Sequence, residues 1–291
     1  MTTLEVSSTV RAAARRRRPI VKVGSIAGMV VLIIGAIFAF GPLLWTLSTS
    51  LRTPAAAFSN PPQWIPTDWD FGNYVAVFNQ IPIGQFFVNS VIVTVLIVVG
   101  QTITCTLSGY AFAMIAFPGK NTIFGVFLAT MMVPLQTIII PVFIIVKMLG
   151  LSDSLGALII PALGSAFGTF LMRQYFMGLP AELAEAASLD GASPWRTFRS
   201  VYAPLAMPGM AIVGILAFNF HWNEFFRPLI LTISEQNFTL PLGLVSLQGN
   251  LGTGSISVVL AGVVLSMIPA LVVFIFGQRA LQDGLTAGTG K

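Results

Sequence analysis

Six long apolar runs alternate with short polar segments along the chain. Each run is close to or above the roughly 20 residues that an α-helix needs to cross a lipid bilayer. The alternating ten-residue segments that are typical of a membrane β-barrel do not occur. The pattern predicts an all-α polytopic membrane protein with six transmembrane helices, which cover residues 20–47, 86–110, 122–149, 155–172, 205–231 and 256–278.

Two of these runs contain residues that shape a membrane helix. Pro134 and Pro141 each remove a backbone hydrogen bond from the third run, so we expect a kinked helix that faces neighbouring protein. Gly164 and Gly168 in the fourth run have a spacing that lets two helices approach closely. This spacing is weak evidence by itself, and it fits an interface and a chance occurrence equally well.

The chain is predicted to divide into three segments, a basic tail at 1–19, a membrane domain at 20–278 and a C-terminal tail at 279–291. The run at 20–47 is longer than the core of a signal peptide and lacks a small-residue cleavage site. It is therefore predicted to remain as the first span. The polar, proline-rich segment at 51–85 is predicted to be an external loop.

The positive charge lies mostly on one side of the predicted membrane. The chain has 15 Lys and Arg and a net charge of +5, and twelve of these cations lie on the side of the N-terminal tail. The three on the other side are Arg52, Lys147 and Arg227. Since cytoplasmic segments are enriched in Lys and Arg, both termini are predicted to be cytoplasmic. This orientation explains the basic charge without a nucleic-acid partner.

No motif for a nucleotide, metal or catalytic site is found in the sequence. It lacks the G-x-x-x-x-G-K-[ST] phosphate-binding loop and the H-E-x-x-H zinc motif. Its single cysteine, Cys105, and single histidine, His221, exclude the common metal sites built from these residues. We therefore expect a protein that is not an enzyme and binds no cofactor or metal of its own.

The predicted cytoplasmic loop at about 173–204 leads into a polar stretch, 179–208, that cannot lie in lipid. Its pattern predicts two short helices. Gly191 ends the first, because glycine readily adopts the left-handed conformation of a helix terminus. Ser193 and Pro194 begin the second as N-cap and first residue, and Pro204 ends it. A polar helix pair between two spans is expected to lie at the surface and contact a partner.

Polar residues also cluster at the end of the fifth run. Asn219, Asn223 and Arg227 follow one another at intervals of four residues, which predicts one shared helix face. Glu224 is three residues from both His221 and Arg227 and can pair with either. Ionisable groups at membrane depth are costly. The cluster therefore either lines a path for a hydrophilic substrate or forms a structural pair near the outer interface.

The polar stretch at 179–208 contains a spaced pattern of six residues, Glu185, Ala186, Ala187, Gly191, Val201 and Pro204. The pattern resembles the EAA motif of bacterial ABC importer permeases, which is E-A-A, three residues, G, nine residues and I-x-L-P. Val201 stands in place of Ile and Ala203 in place of Leu. E-A-A alone would mean little, but the complete spacing between two spans is specific.

The resemblance extends along nearly the whole chain after the N-terminal tail. Trp45 to Arg52, followed by Asn73-Tyr74, is similar to the first span and loop of carbohydrate permeases, and Trp222-Asn223 fits the same group. The chain is identified as a member of the maltose-permease-like, carbohydrate-uptake family. This membership implies the ABC importer type I permease fold with cytoplasmic coupling helices. The arginine-rich tail departs from the family's pattern.

The family implies a permease subunit in the bacterial cytoplasmic membrane that forms half of the path for a sugar-like solute. The implied partners are membrane lipid, a second permease, two copies of an ABC ATPase and an extracytoplasmic solute-binding protein. The ATPase would use ATP-Mg, and the EAA helix would dock on it. Glu185 would meet a basic group there, and Leu183 and Leu189 would supply apolar contacts. The loop at 232–255 would reach toward the binding protein.

Two other functions remain open from the sequence. A proton-coupled secondary transporter could use Glu224 and His221, although the chain shows no inverted repeats. A membrane-integral scaffold could hold an ATPase without transporting, although the polar cluster of the fifth run argues mildly against it. The sequence does not name the solute, and a sugar, an oligosaccharide and a glycerol-phosphate type compound all fit.

Overall fold

The computed structural model describes residues 23–57, 64–180, 182–249 and 254–287, with side chains from 28 to 278 within those ranges. The basic tail predicted at 1–19 lies outside the described residues. The described chain is helical, and no β-strand occurs in it. The α-helices are α1 Val23–Ser50, α2 Gly72–Gln80, α3 Ile83–Met114, α4 Lys120–Ala129, α5 Leu135–Met148, α6 Leu155–Ile159, α7 Ala166–Met177, α8 Glu182–Leu189, α9 Pro194–Thr197, α10 Ala203–Leu205, α11 Met207–Trp222, α12 Phe226–Leu231, α13 Leu240–Gly243 and α14 Ile256–Ala287.

The chain divides into two compact units, Met1–Thr46 and Leu47–Lys291. The first unit contains most of α1, whose apolar part Gly28–Ser50 has 23 residues, enough to cross a bilayer. Pro42 lies inside this helix, and its carbonyl accepts a hydrogen bond from the Thr46 hydroxyl at 2.9 Å. The first predicted span is therefore confirmed over its described residues.

The second unit is built around α3, a helix of 32 residues. It packs against α7 and α11, and α11 in turn packs against α14. Three clusters of buried apolar side chains follow one another along α3, around Phe86, Ile97 and Tyr110. Because α3 takes part in all three clusters, it connects the two ends of the helix bundle.

The third predicted span is a broken helix, as its prolines predict. Lys120–Met132 and Leu135–Met148 meet at 103°. Pro134 cannot donate a backbone hydrogen bond, and Val133 before it is extended, with φ −90° and ψ 114°. Pro141 stays inside α5 without ending it. The sharp bend therefore lies next to Pro134 and not at Pro141.

The fifth predicted span, 205–231, is not one helix. A bend of 71° separates Pro194–Leu205 from Met207–Trp222, and α12 follows as a separate helix. The described residues hold four helices long enough to cross a membrane, or up to six spans if each bent pair counts as one. The latter number agrees with the prediction. The last helix is longer than expected, since α14 continues beyond residue 278 into the predicted C-terminal tail.

Gly164 and Gly168 have different surroundings. A Cβ atom added to Gly168 would lie 2.7 Å from the Cys105 sulfur, so α7 and α3 approach closely at this glycine. Gly164 lies before the start of α7, and nothing lies within 4 Å of its added Cβ. A second close approach of the same helices occurs at Gly109, whose added Cβ would lie 2.5 Å from the Met172 Cβ. Only one glycine of the predicted pair therefore forms an interface.

Candidate functional site

The segment that carries the EAA pattern (the EAA loop, residues 182–205) begins with α8. Two hydrogen bonds close the end of this helix, from the Gly191 N–H to the Ser188 carbonyl and from the Ala192 N–H to the Ala187 carbonyl. Gly191 has a φ of 71°, in the left-handed region. These bonds and the left-handed residue form a Schellman motif, so the predicted role of Gly191 as a helix stop is confirmed.

The second helix of the EAA loop begins as predicted, with Ser193 as N-cap and Pro194 as first residue. The predicted end at Pro204 is one residue early, because the helix ends at Leu205, where the chain bends by 71°. Phe198–Tyr202 widen into a π-helical turn, and the helix then continues to Leu205. The widened turn accommodates the proline ring, which in a regular α-helix would meet the carbonyl four residues before it.

The two faces of α8 have different surroundings. Leu183 and Ala184 pack against the buried aromatic cluster at the end of α3. Glu185 and Ala186 are exposed, and Leu189 is 90% exposed. The expected contact of Leu183 with a partner stays a prediction, and in this structure its half-buried side chain packs on its own bundle. Leu189 remains as the large apolar side chain that α8 exposes.

The aromatic cluster joins the EAA loop to α3. The ring centroid of Tyr110, on α3, lies 4.9 Å from that of Phe198 and 5.4 Å from that of Tyr202. Both loop rings are buried. Val201 packs at the edge of the cluster, and Pro204 is exposed. Because close-packed side chains resist separation, displacement of the loop has to displace α3 or disrupt this cluster.

All but one of the polar residues predicted near the end of the fifth span border a cavity of about 670 Å³. Asn219, Glu224 and Arg227 line it, and Gln101 from α3 and His221 complete its polar end. The rest of the wall is mostly apolar and comes from α7, α11 and the helix break before α5. The combination of apolar walls with a few convergent polar groups is typical of small-molecule sites.

The four-residue spacing predicts that Asn223 shares a helix face with Asn219 and Arg227, but in the structure it does not. The reason is that α11 ends at Trp222, and Asn223 has φ −96° and ψ 4° outside the helix. Its side-chain amide donates to the Asn219 carbonyl at 2.8 Å. Asn223 lines a second cavity of about 260 Å³, together with Trp222. Of the three residues, only Asn219 and Arg227 therefore meet at the larger cavity.

Glu224 lies at the centre of a buried ionic group. Its Oε2 accepts hydrogen bonds from Arg227 Nη2 and from His221 Nδ1, the latter at 2.9 Å. The three side chains are 6% to 8% exposed. Glu224 thus pairs with both candidate partners at once, as buried charges require. In the part of the chain that the structure describes, no group of three or more His, Cys, Asp and Glu side chains could hold a metal ion.

Gln101 belongs to this polar group, and sequence reasoning did not select it. Its Nε2 lies 2.7 Å from the Ala162 carbonyl oxygen and 3.0 Å from His221 Nε2. Gln101 therefore links α3 to the turn before α7 and to the end of α11. The available signal was an amide in the middle of an apolar run, where a polar group needs partners.

Asp153, in the turn between α5 and α6, holds the segment that follows α12. Its carboxylate accepts hydrogen bonds from the N–H groups of Ile233 and Ser234 at 2.8 and 2.9 Å, and from the Ser234 hydroxyl. These bonds hold the pKa of Asp153 well below its usual range. The loop expected at 232–255, of which 250–253 lie outside the described residues, therefore starts from a fixed position.

The residues that carry the resemblance to carbohydrate permeases contact one another. The Asn73 side-chain amide donates to the carbonyls of Ser50 and Arg52 at 3.0 and 2.8 Å. The Tyr74 hydroxyl lies 2.8 Å from the Ser50 hydroxyl. Asn73 is buried, so these bonds replace those it would make with water. The pattern thus fixes the segment after α1 to the start of α2.

A family model matches residues 105–286 of the chain and describes a binding-protein-dependent transport system inner membrane component. The chain is 34% identical over 259 residues to the arabinooligosaccharides transport system permease protein AraQ of Halalkalibacterium halodurans, covering 88% of this chain and 92% of the relative. It is 32% identical over 264 residues to the sn-glycerol-3-phosphate transport system permease protein UgpE of Pectobacterium atrosepticum, covering 88% and 94%.

The fold is also similar to a solved structure. The match is a chain in the crystal structure of a bacterial ABC transporter involved in the import of the acidic polysaccharide alginate. The TM-score is 0.78 at 27% identity, and the similarity covers 90% of this chain and 98% of the other. The matched interval of the family model includes both the EAA loop and the residues of α11 and α12 that border the cavity.

Proposed function

Because the chain belongs to the family of binding-protein-dependent transport system inner membrane components and is a permease subunit of a carbohydrate ABC importer, we propose that it couples a solute path to a separate ATPase through the EAA loop. Importer permeases of this kind work in the plasma membrane with a partner permease, an ATPase and a binding protein. In the proposed complex, one copy of this chain and one second permease are joined by two ATPase subunits.

The proposal for coupling is supported by the position of the EAA loop between an exposed surface and the core. Glu185, Ala186 and Leu189 are exposed on α8, and the small side chain of Ala186 allows a partner to approach closely. Gly191 turns the chain back toward the bundle, and Phe198 packs on Tyr110. A partner that moves α8 would therefore move α3 as well.

In the proposed complex, the ATPase subunits bind ATP-Mg, and this chain binds no cofactor. Both termini and the EAA loop are cytoplasmic, in agreement with the distribution of Lys and Arg in the sequence. The single observation that carries the proposal is the exposed EAA helix, ended by a left-handed Gly191 and packed on the bundle through an aromatic cluster.

We also propose that the larger cavity contributes to the path of a sugar-like solute. Asn219, Glu224 and Arg227 supply polar contacts from its end. Asn223 faces the second cavity instead, so its place in the path depends on whether the solute passes that cavity too. The mostly apolar wall is suited to the carbon–hydrogen faces of sugar rings, and the polar end is suited to hydroxyl groups.

A proton-coupled secondary transporter is not favoured. The relatives are permease subunits of importers, and Glu224 is already bound by Arg227 and His221. A carboxylate that carries protons across a membrane has to be released from such partners during each cycle. A scaffold without a transport path is not favoured either, because a scaffold does not need buried ionisable groups beside a cavity.

The test is uptake by the complete complex in proteoliposomes, with ATP supplied on the side of the membrane where the ATPase subunits lie. Glu185→Lys and Gly191→Asp are expected to lower uptake at least tenfold, while the chain still inserts and assembles with its partner permease. Asp68→Lys, which changes an exposed carboxylate outside the EAA loop, is the matched control and should leave uptake within about twofold. Normal uptake by the two EAA variants would refute the coupling role.

A further inference from the structure

The charges of the side chains at the polar end of the larger cavity indicate whether the solute is charged. We propose that the chain transports an uncharged polyhydroxyl compound and not an anionic one such as a sugar phosphate or a uronate. The proposal rests on the proposed function of this cavity as part of the solute path. It follows from the protonation state of His221, from the pairing of Glu224 with Arg227 and from the composition of the remaining wall.

Gln101 determines where the proton of His221 lies. The Ala162 carbonyl oxygen can only accept, so the Gln101 atom 2.7 Å from it has to be the amide nitrogen. The second hydrogen of that nitrogen is available to His221 Nε2, 3.0 Å away, which therefore accepts. The imidazole proton is then on Nδ1, where it is donated to Glu224 at 2.9 Å, and Arg227 Nη2, 3.3 Å from the same nitrogen, donates to Glu224 rather than to His221. His221 is neutral in this arrangement, because a proton on Nε2 would face the amide hydrogens.

The formal charges of the cavity wall sum to zero as a result. Three ionisable side chains line the described part of this wall. With His221 neutral, the charged ones are Glu224 and Arg227, which bond directly to each other. Both are buried, with side chains 8% and 6% exposed. The guanidinium charge is therefore already compensated before any solute enters.

The helix termini at the cavity do not change this balance. The N-terminus of α7 borders the cavity, and its Ser165 hydroxyl already accepts a hydrogen bond from the Gly168 N–H at 3.1 Å. The C-terminus of α11 borders the cavity at His221. The partial charges of these two termini have opposite signs. Neither the side chains nor the helix termini supply an excess of positive charge.

An anionic solute would be disfavoured in such a site. It would meet the carboxylate of Glu224 at short range, and no unpaired cation of the described wall would compensate it. Sites for phosphate or carboxylate groups instead use free Arg, Lys or backbone N–H groups. An uncharged sugar needs only hydrogen-bonding groups such as Asn219 and flat apolar surfaces such as Phe167 and Phe220, which are 47% and 60% exposed.

The experiment is a transport panel for the complete complex with its own binding protein. The probes are uncharged oligosaccharides, the same oligosaccharides with a primary alcohol oxidised to a carboxylate, and sugar and glycerol phosphates. We expect ATP-driven uptake of at least one uncharged probe, and uptake of its carboxylate counterpart at least tenfold slower. Uptake of an anionic probe as fast as or faster than any uncharged one would overturn the inference. Absence of ATP-driven uptake of every probe would instead contradict the proposed function.

Variants separate the contribution of this chain from that of the binding protein. Glu224→Gln leaves the Arg227 charge uncompensated and is expected to lower the ratio of uncharged to carboxylate uptake at least fivefold. Asp68→Asn is the matched control, because it makes the same carboxylate-to-amide change on an exposed residue that does not line the cavity. An unchanged ratio in Glu224→Gln, with uptake itself retained, would show that the cavity does not select charge and would refute the inference.

Discussion

The ring centroid of Tyr110 lies 4.9 Å from that of Phe198, so the end of α3 and the EAA loop share one buried aromatic contact. Phe176 of α7 joins it, 5.6 Å from Tyr110 with the rings nearly perpendicular. Edge-to-face contacts of this kind add to the free energy gained from burial. The EAA loop is thus packed on two helices that approach each other closely, at Gly109 and Gly168.

Tyr110→Ala should uncouple ATP hydrolysis from transport. Removal of the ring leaves a cavity between α3 and Phe198, so movement of the EAA loop is no longer transmitted to α3. We expect uptake to fall at least tenfold while ATP hydrolysis by the assembled complex continues. The free energy of unfolding should fall by about 3–5 kcal/mol, as for other buried aromatic residues. The measurement is solute taken up per ATP hydrolysed in proteoliposomes.

Tyr110→Phe is the matched control, because it keeps the ring and loses only the hydroxyl. It should retain at least half of the uptake per ATP. Equal losses in both variants would show that the hydroxyl and not the packing of the ring is required, and they would contradict the coupling route through the cluster.

Asn219→Leu and Asn223→Leu should have different effects. Asn219 lines the larger cavity, so its replacement is expected to lower uptake about tenfold with little change in stability. Asn223 donates to the Asn219 carbonyl at the end of α11. Its replacement should lower the free energy of unfolding by about 1 kcal/mol, the usual contribution of one hydrogen bond, and change uptake less than threefold. A larger transport defect in Asn223→Leu would place the solute path at the second cavity.

These two asparagines also illustrate what the sequence can predict. A four-residue interval implies one face only while the helix continues, and no proline or glycine marks the end of α11 at Trp222. Gly191 and Pro134 were predictable because each has a local backbone preference that tertiary packing does not change. The helix end at Trp222 instead coincides with long-range contacts, since its indole N–H donates to the Ser266 carbonyl of α14 at 3.0 Å.

Gln101 was missed for a related reason. Its partners are the Ala162 carbonyl and His221, which are 61 and 120 residues away along the chain. Short spacing patterns detect residues that are neighbours on one helix, such as Glu224 with His221 and Arg227. They do not detect a side chain that reaches the same site from another helix.

Asp153→Asn should destabilise the segment after α12, and the size of this effect should not depend on pH between 5 and 8. The folded state lowers the pKa of Asp153 below its usual value of 3.8, so the hydrogen bonds of the carboxylate contribute fully above about pH 4 and are lost as the pH falls further. The difference in unfolding temperature between wild type and Asp153→Asn should therefore be the same at pH 5 and pH 8.

Asp68→Asn is the control for this comparison, because Asp68 is exposed. It should leave the unfolding temperature unchanged at both pH values. A difference for Asp153→Asn that disappears between pH 8 and pH 5 would mean that the carboxylate takes up a proton in that interval, which contradicts its hydrogen bonding to Ile233 and Ser234.

Photocrosslinking from the EAA helix tests the docking of this chain on a separate ATPase most directly. A benzophenone amino acid replaces Leu189, which is 90% exposed on α8, or Ile233, which is 77% exposed in the loop held by Asp153. In the active complex, the probe at 189 should crosslink to the ATPase subunit with a yield that changes when ATP is added, and the probe at 233 should not. Failure of the probe at 189 to reach the ATPase, or equal crosslinking from 233, would contradict the account.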